Sequence, residues 1–363
     1  MENNKQTNTK SKADIIKQVL QLILFLSLGV FFIWLSTKGL TPEDKISLKE
    51  SISCINNPVS WYFLFLSLIA GALAHYFRAL RSVLLIEPLN YKIRKSMSFY
   101  AVMVCYLANL AFPRLGEVLR CTFLQRYEKV PFQKSLGTIV TERVLDVIIW
   151  LVLLIVVILM NTSVLSNLIV DKENAITFAM WIENKGMSLL TNYFLYIAVA
   201  AFVAIGLAIF FTRKWWGQIP IFVKIKNIII EMWQGLISIK DVKHPILFTV
   251  YTLLIWAFYF LGTYLCFFAF DFLAQFGPFP AFSVLIFGAV GFMVAQGGLG
   301  AYPMIVAGVL VLYGVNYSAG LAAGWVGWGV QTVMIIVFGF ISLILASLMN
   351  RTSDNKTEIS SEI

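Results

Sequence analysis

A chain of 363 residues that is 59% hydrophobic and only 13% charged, with a mean hydropathy of +0.81, is excluded from the soluble multidomain class and falls among polytopic membrane proteins. Its net charge of +9 does not argue for nucleic acid, because the basic residues fall in short loops between apolar runs, as the positive-inside rule expects. His75 and His244 stand far apart, and Cys54, Cys105, Cys121 and Cys266 show neither CxxC spacing nor an obvious pairing. A histidine metal centre or a Ser-His-Asp triad is therefore poorly supported, no cofactor or metal is expected, and the cysteines read as small apolar packing residues.

Residues 1–17 form a polar, lysine-rich cytoplasmic tail, and no small-x-small cleavage pattern follows the next apolar run. Val19 to Thr37 is the first expected transmembrane helix, with its N-terminus in the cytoplasm. The segment from Lys38 to Pro58 balances three lysines with three acids and reads as an outer loop. Val59 to Ile86 returns through the membrane and ends in Arg78 and Arg81, whose i, i+3 spacing puts them on one helix face.

From Glu87 to Arg143 there are nine basic residues and four acids, so this stretch prefers the inner side. Ser98 to Phe112 is apolar but only 15 residues long, short of the roughly 20 that a spanning helix needs. The sequence NLAFPRLGEVLR then brings the breakers Pro113 and Gly116 together with Arg114, Glu117 and Arg120. Three charges at the middle of one spanning helix would cost roughly 2.5–3.5 kcal/mol each. A broken, charged segment at membrane depth is tolerated where it is buried in protein or lines a polar cavity. The stretch 98–124 therefore reads as a re-entrant hairpin and as the candidate substrate site.

TERVLD, from Thr141 to Asp146, opens the third full span over Val144 to Met160, with its charges at the cytoplasmic entrance. Residues 161–192 make an outer loop, and Asn192 to Thr212 crosses back. The loop 213–244 carries an apolar face from Ile225 to Ile239 at helical spacing, an amphipathic helix that reads as a connector on the cytoplasmic surface. Pro245 to Phe270 goes out again. Phe279 to Tyr313 is a second interrupted element, broken at QGGLG by Gly297, Gly298 and Gly300. Leu321 to Met349 is the last span, with Gly320 and Gly324 at GxxxG spacing at its start. Residues 351–363 are expected to be a disordered cytoplasmic tail.

LANLAFPRLGEV, from Leu107, echoes GFMVAQGGLGAY, from Gly291: Ala111 aligns with Ala295, and Leu115-Gly116 with Leu299-Gly300. Two broken segments in corresponding positions, entering from opposite faces, point to a transporter of inverted halves. Arg114, Glu117 and Arg120 stand at successive i+3 steps and would form one stripe on a short helix after Pro113. Arginine forks suit phosphate oxygens, so an anionic headgroup site competes with a structural ion-pair network. Glu117 would hold Arg114 and Arg120 in place when no ligand is bound. Glu142 and Asp146 share a face and are expected to pair with Arg78, Arg81 or Arg120, while Arg143 points elsewhere. The glycines of QGGLG read as a tight turn in preference to an anion nest.

FRALR from Phe77, NLAFPRLGEVLR, TERVLD and GGLGAY, in this order, resemble the flippase-like membrane domain family, which includes the N-terminal membrane domain of lysylphosphatidylglycerol synthases. The likeness spans about residues 15–350, and its most specific parts are P-R-x-G-E and E-R-x-x-D. It implies movement of a lipid with a charged or glycosylated headgroup between leaflets of a bacterial inner membrane. The positions it marks as functional are Asn109, Pro113, Arg114, Gly116, Glu117, Arg120, Glu142, Arg143 and Asp146, with Gly297, Gly298 and Gly300. Where the family often has proline before the double glycine and an acid after it, this chain has Gln296 and then Tyr302-Pro303. It also has no expected place for the soluble aminoacyltransferase domain of the synthases.

The expectation is thus an all-α integral membrane protein whose single polytopic domain covers residues 18–350. It would have about six full spans, two re-entrant hairpins and possible inverted-repeat symmetry, with both termini cytoplasmic. Substrate contacts are expected from Arg78, Arg81, Asn109, Arg114, Glu117, Arg120, Glu142, Arg143 and Asp146. The expected partner is a membrane lipid with an anionic or phosphate-bearing headgroup, and the chain is compatible with a homo-oligomer. The rival readings are an integral membrane glycosyl- or aminoacyl-transferase acting on a lipid carrier, and an accessory membrane subunit; no clear D-x-D supports the first.

Overall fold

The computed structural model describes residues 41–53, 55, 57–112, 114–160 and 238–361. The expected spans at 19–37 and 192–212, the amphipathic segment 225–237, Cys54 and Pro113 lie outside the described residues. Those described form helices without a strand: α1 Pro42–Ser53, α2 Pro58–Ile86, α3 Lys95–Ala111, α4 Leu115–Glu128, α5 Phe132–Met160, α6 Pro245–Phe267, a short α7 Asp271–Ala274, α8 Pro278–Val294, α9 Ala301–Val311 and α10 Tyr317–Ser361. Four of them, α2, α5, α6 and α10, are long and apolar enough to cross a membrane. The four expected spans that fall on described residues are therefore all present.

Local chemistry sets the helix starts. Pro58, Pro245 and Pro278 each open a helix at a position where the missing N–H is no loss, and the Asn57 side chain caps α2 by accepting from the Val59 N–H at 3.1 Å. Three boundaries differ from expectation. The segment after residue 40, expected as an outer loop, contains α1, which packs its Leu48 against Leu321 and bonds Ser47 to Ser318. α5 begins at Phe132 and not near Val144, so Glu142, Arg143 and Asp146 lie inside it. α10 runs on to Ser361, because nothing in residues 351–361 is a proline or glycine that would stop it.

The helices form two units with the same order and opposite sense. In the first, α2 leads into the α3–α4 hairpin and then α5; in the second, α6 leads into the α8–α9 hairpin and then α10. The α3–α4 hairpin is rooted at one end of the bundle, where Met97 and Leu124 pack with Ile86 and Ala346. The α8–α9 hairpin is rooted at the other end, where Val284 and Leu310 pack with Leu64 and Phe270. α2 and α6 join the units along a close antiparallel contact, with the Ser67 hydroxyl donating to the Gly262 carbonyl at 2.7 Å. The GxxxG pair lies within the second unit: a Cβ on Gly320 would meet Ala307, and one on Gly324 would meet Pro303, so α10 presses directly against α9.

The hairpin tips meet inside the bundle. Gln296 Nε2 donates to the carbonyl oxygens of Leu110 and Asn109 at 3.2 and 3.4 Å, and a Cβ on Gly297 would touch Leu110. Opposed helix–hairpin–helix units are the arrangement the internal echo anticipates.

Candidate functional site

Two residues build the turn between α3 and α4. Asn109 Oδ1 accepts from the Gly116 N–H at 2.8 Å, satisfying one of the donors that a helix start leaves open, while its amide reaches Glu117 Oε1 at 3.4 Å. Gly116 fits because a Cβ there would run into the Cys105 carbonyl and the Asn109 side chain. The chain reverses through Arg114, which holds a left-handed conformation with φ 62°. Few non-glycine residues adopt that conformation, and it is found most often where function or a tight turn demands it.

Arg114 consequently stands off the helix and does not continue the stripe of Glu117 and Arg120, contrary to the expectation from spacing. It is exposed and makes no ion pair among the described residues. Glu117 holds neither of its neighbouring arginines; it accepts from Arg143 Nη2 at 3.0 Å. The expected i+3 stripe fails because α4 starts one residue after Arg114.

Behind the turn, buried ion pairs tie α4 and α2 to α5. Arg120, with a side chain 4% exposed, grips Glu142 through Nη1 at 3.1 Å and Nη2 at 2.9 Å, and also donates to the Ser82 hydroxyl at 2.7 Å. One helical turn along α5, Asp146 lies 2.5 Å from Arg78 and 2.8 Å from Arg81. The interhelical pairing expected for Glu142 and Asp146 is therefore what the structure has. Arg143, expected to point elsewhere, also joins it through Glu117.

The charge does not balance. Arg78 and Arg81 share the single carboxylate of Asp146, whereas Arg120 and Arg143 each have one of their own. The Arg81 side chain is fully buried; its Nη2 lies 2.8 Å from Asp146 Oδ1, whereas Nε and Nη1 have no hydrogen-bond acceptor among the described residues. Arg78 Nε and Arg120 Nε are likewise unmatched. Buried guanidinium groups with unused donors are costly unless an acceptor completes them. A phosphate oxygen has that chemistry.

The second tip is apolar and turn-like. Gly297, Gly298 and Gly300 have φ of 60°, 72° and 73°, which explains three glycines in five residues. The N–H groups of Gly298 and Leu299 donate to Ala295 and Gln296, and the Gly297 carbonyl accepts from Trp328 Nε1 at 2.7 Å. These contacts make a tight turn. Sequence reasoning missed Ser82, Gln296 as the link between tips, and the aromatic surround of His75, Tyr106 and Tyr259. The available signal was His75, Arg78 and Arg81 at i+3 steps on one helix.

Set beside known proteins, residues 18–339 match the family model described as the lysylphosphatidylglycerol synthase TM region. No curated protein and no solved structure matches the chain.

Proposed function

Since the chain belongs to the lysylphosphatidylglycerol synthase TM region family and is a multi-pass membrane protein, we propose that it moves a lipid with a phosphate-bearing headgroup between the leaflets of a bacterial inner membrane. The single observation that carries this reading is the surplus positive charge beside two hairpin tips that approach from opposite ends of the bundle. Of the site's arginines, Arg114 and Arg143 have exposed side-chain surface and meet the phosphate first. Arg78 and Arg81 supply the unmatched charge behind them, while the buried Arg120–Glu142 pair holds α4 against α5. Acyl chains stay in lipid as the headgroup passes between the tips. Both termini are cytoplasmic in this reading, as the loop charges favour.

Proteoliposomes with tail-labelled phospholipids and a membrane-impermeant quencher test it. Headgroups cross without any change in lipid mass, and Arg114→Gln reduces the rate at least about tenfold, the effect of roughly 1.4 kcal/mol lost from the crossing barrier, while leaving folded protein. A changed lipid mass would indicate a transferase, and an unaltered rate in Arg114→Gln would remove Arg114 from the pathway.

A further inference from the structure

We propose that the transported headgroup carries an uncharged hydroxyl-bearing group, such as glycerol or a sugar, beyond its phosphate, and that a cavity between α2, α6 and the α8–α9 hairpin holds it. The inference rests on the phosphate-lipid reading above and specifies the half of the headgroup that arginines do not select.

The cavity has a volume of about 290 Å³, and its walls include His75 of α2, Tyr106 of α3, Trp256 and Tyr259 of α6, Tyr302 of α9 and Gln331 of α10. That is the lower end of the ~300–1,000 Å³ typical of small-molecule pockets, room for one headgroup and not for its acyl chains. It adjoins the arginine cluster directly. His75 stands one turn before Arg78, the Tyr259 hydroxyl accepts from Arg78 Nη2 at 3.3 Å, and the Arg143 guanidinium lies 6.0 Å from the Tyr106 ring centre. A phosphate held by the arginines therefore places its substituent at the mouth of this cavity.

Two polar atoms on the wall, His75 Nδ1 and Trp256 Nε1, are buried without a hydrogen-bond partner among the described residues, and His75 is 4% exposed. Trp256 can only donate, whereas an imidazole nitrogen donates or accepts according to its tautomer. Hydroxyl groups, which do both, complete either atom, and the aromatic walls cover the C–H surface between them.

A cationic headgroup fits poorly. No Asp or Glu lines the cavity among the described residues, and the neighbouring carboxylates Glu117, Glu142 and Asp146 are each held by arginine. Arg78, 5.9 Å from the Tyr259 ring centre, and Arg143 already occupy aromatic faces that an ammonium would use. Like charges so close in a water-poor site repel strongly.

Native mass spectrometry of the full chain in detergent tests the assignment with phosphatidylglycerol, phosphatidylinositol, phosphatidylethanolamine and phosphatidic acid of matched acyl chains. Phosphatidylglycerol or phosphatidylinositol is retained at least about tenfold more than phosphatidylethanolamine. His75→Phe and, independently, Trp256→Phe remove that preference while leaving retention of phosphatidic acid unchanged, which also reports that each variant is folded. Equal retention of the ethanolamine, glycerol and inositol lipids, or a preference that survives both substitutions, overturns the cavity assignment and leaves the phosphate reading standing. No retention of any of the four lipids overturns both.

Discussion

Arg114 and Arg120 are six positions apart and occupy opposite surroundings. Arg120 is buried and held by a carboxylate and a hydroxyl, while Arg114 is exposed at a left-handed turn. Spacing alone made them equivalent, because an i+3 stripe presumes that both lie on one helix. Between them lies Gly116, where α3 and α4 come too close for a side chain. Gly116→Ala forces the Cys105 carbonyl and the Asn109 cap apart, and overpacking of this kind costs roughly 1–3 kcal/mol. Thermal unfolding in detergent will show a lowered midpoint for that variant; an unchanged midpoint would mean that the hairpin opens there without penalty. The breakers and charges of this turn were legible in the sequence. The left-handed backbone of Arg114 was not, since arginine rarely adopts it and nothing local announces it.

At the scale of elements, the surprise is α5. Charges such as Glu142, Arg143 and Asp146 ordinarily mark where a span ends, and the sequence reading placed the helix start among them, near Val144. The helix instead begins at Phe132 and carries all three charges inward, because Arg120, Arg78, Arg81 and Glu117 wait on α2 and α4 to neutralise them. Partners 22 to 68 residues away in sequence cannot be read from the local pattern. Glu142→Gln strands Arg120 in the interior, and losing one partner of a buried pair costs about 3–5 kcal/mol. Replacing both, Arg120→Met with Glu142→Leu, leaves no uncompensated charge and restores most of that stability. The account further expects the double variant to move lipid at nearly the wild-type rate, since this pair braces the site and does not contact the headgroup. A double variant as unstable as Glu142→Gln, in the same unfolding measurement, would contradict the bracing role.

For the whole molecule, two interrupted elements in corresponding positions were legible as short apolar runs broken by Pro113-Arg114 and by QGGLG. Their opposite entry followed from the charge pattern of the loops, and the hairpins are indeed rooted at opposite ends of the bundle. That the tips touch was beyond the sequence: the bond joins Gln296 to Leu110 across 186 positions. A single side chain bridging two opposed hairpins is a contact that rocking of one unit against the other would break. Lipid passage between the tips requires them to part. The most direct test places cysteines at Leu110 and Gln296 in a cysteine-free background and joins them with a short, cleavable bifunctional thiol reagent in proteoliposomes. Lipid movement is expected to stop on crosslinking and to return on cleavage, whereas movement at an undiminished rate through the crosslinked protein would show that the headgroup does not pass between the hairpin tips.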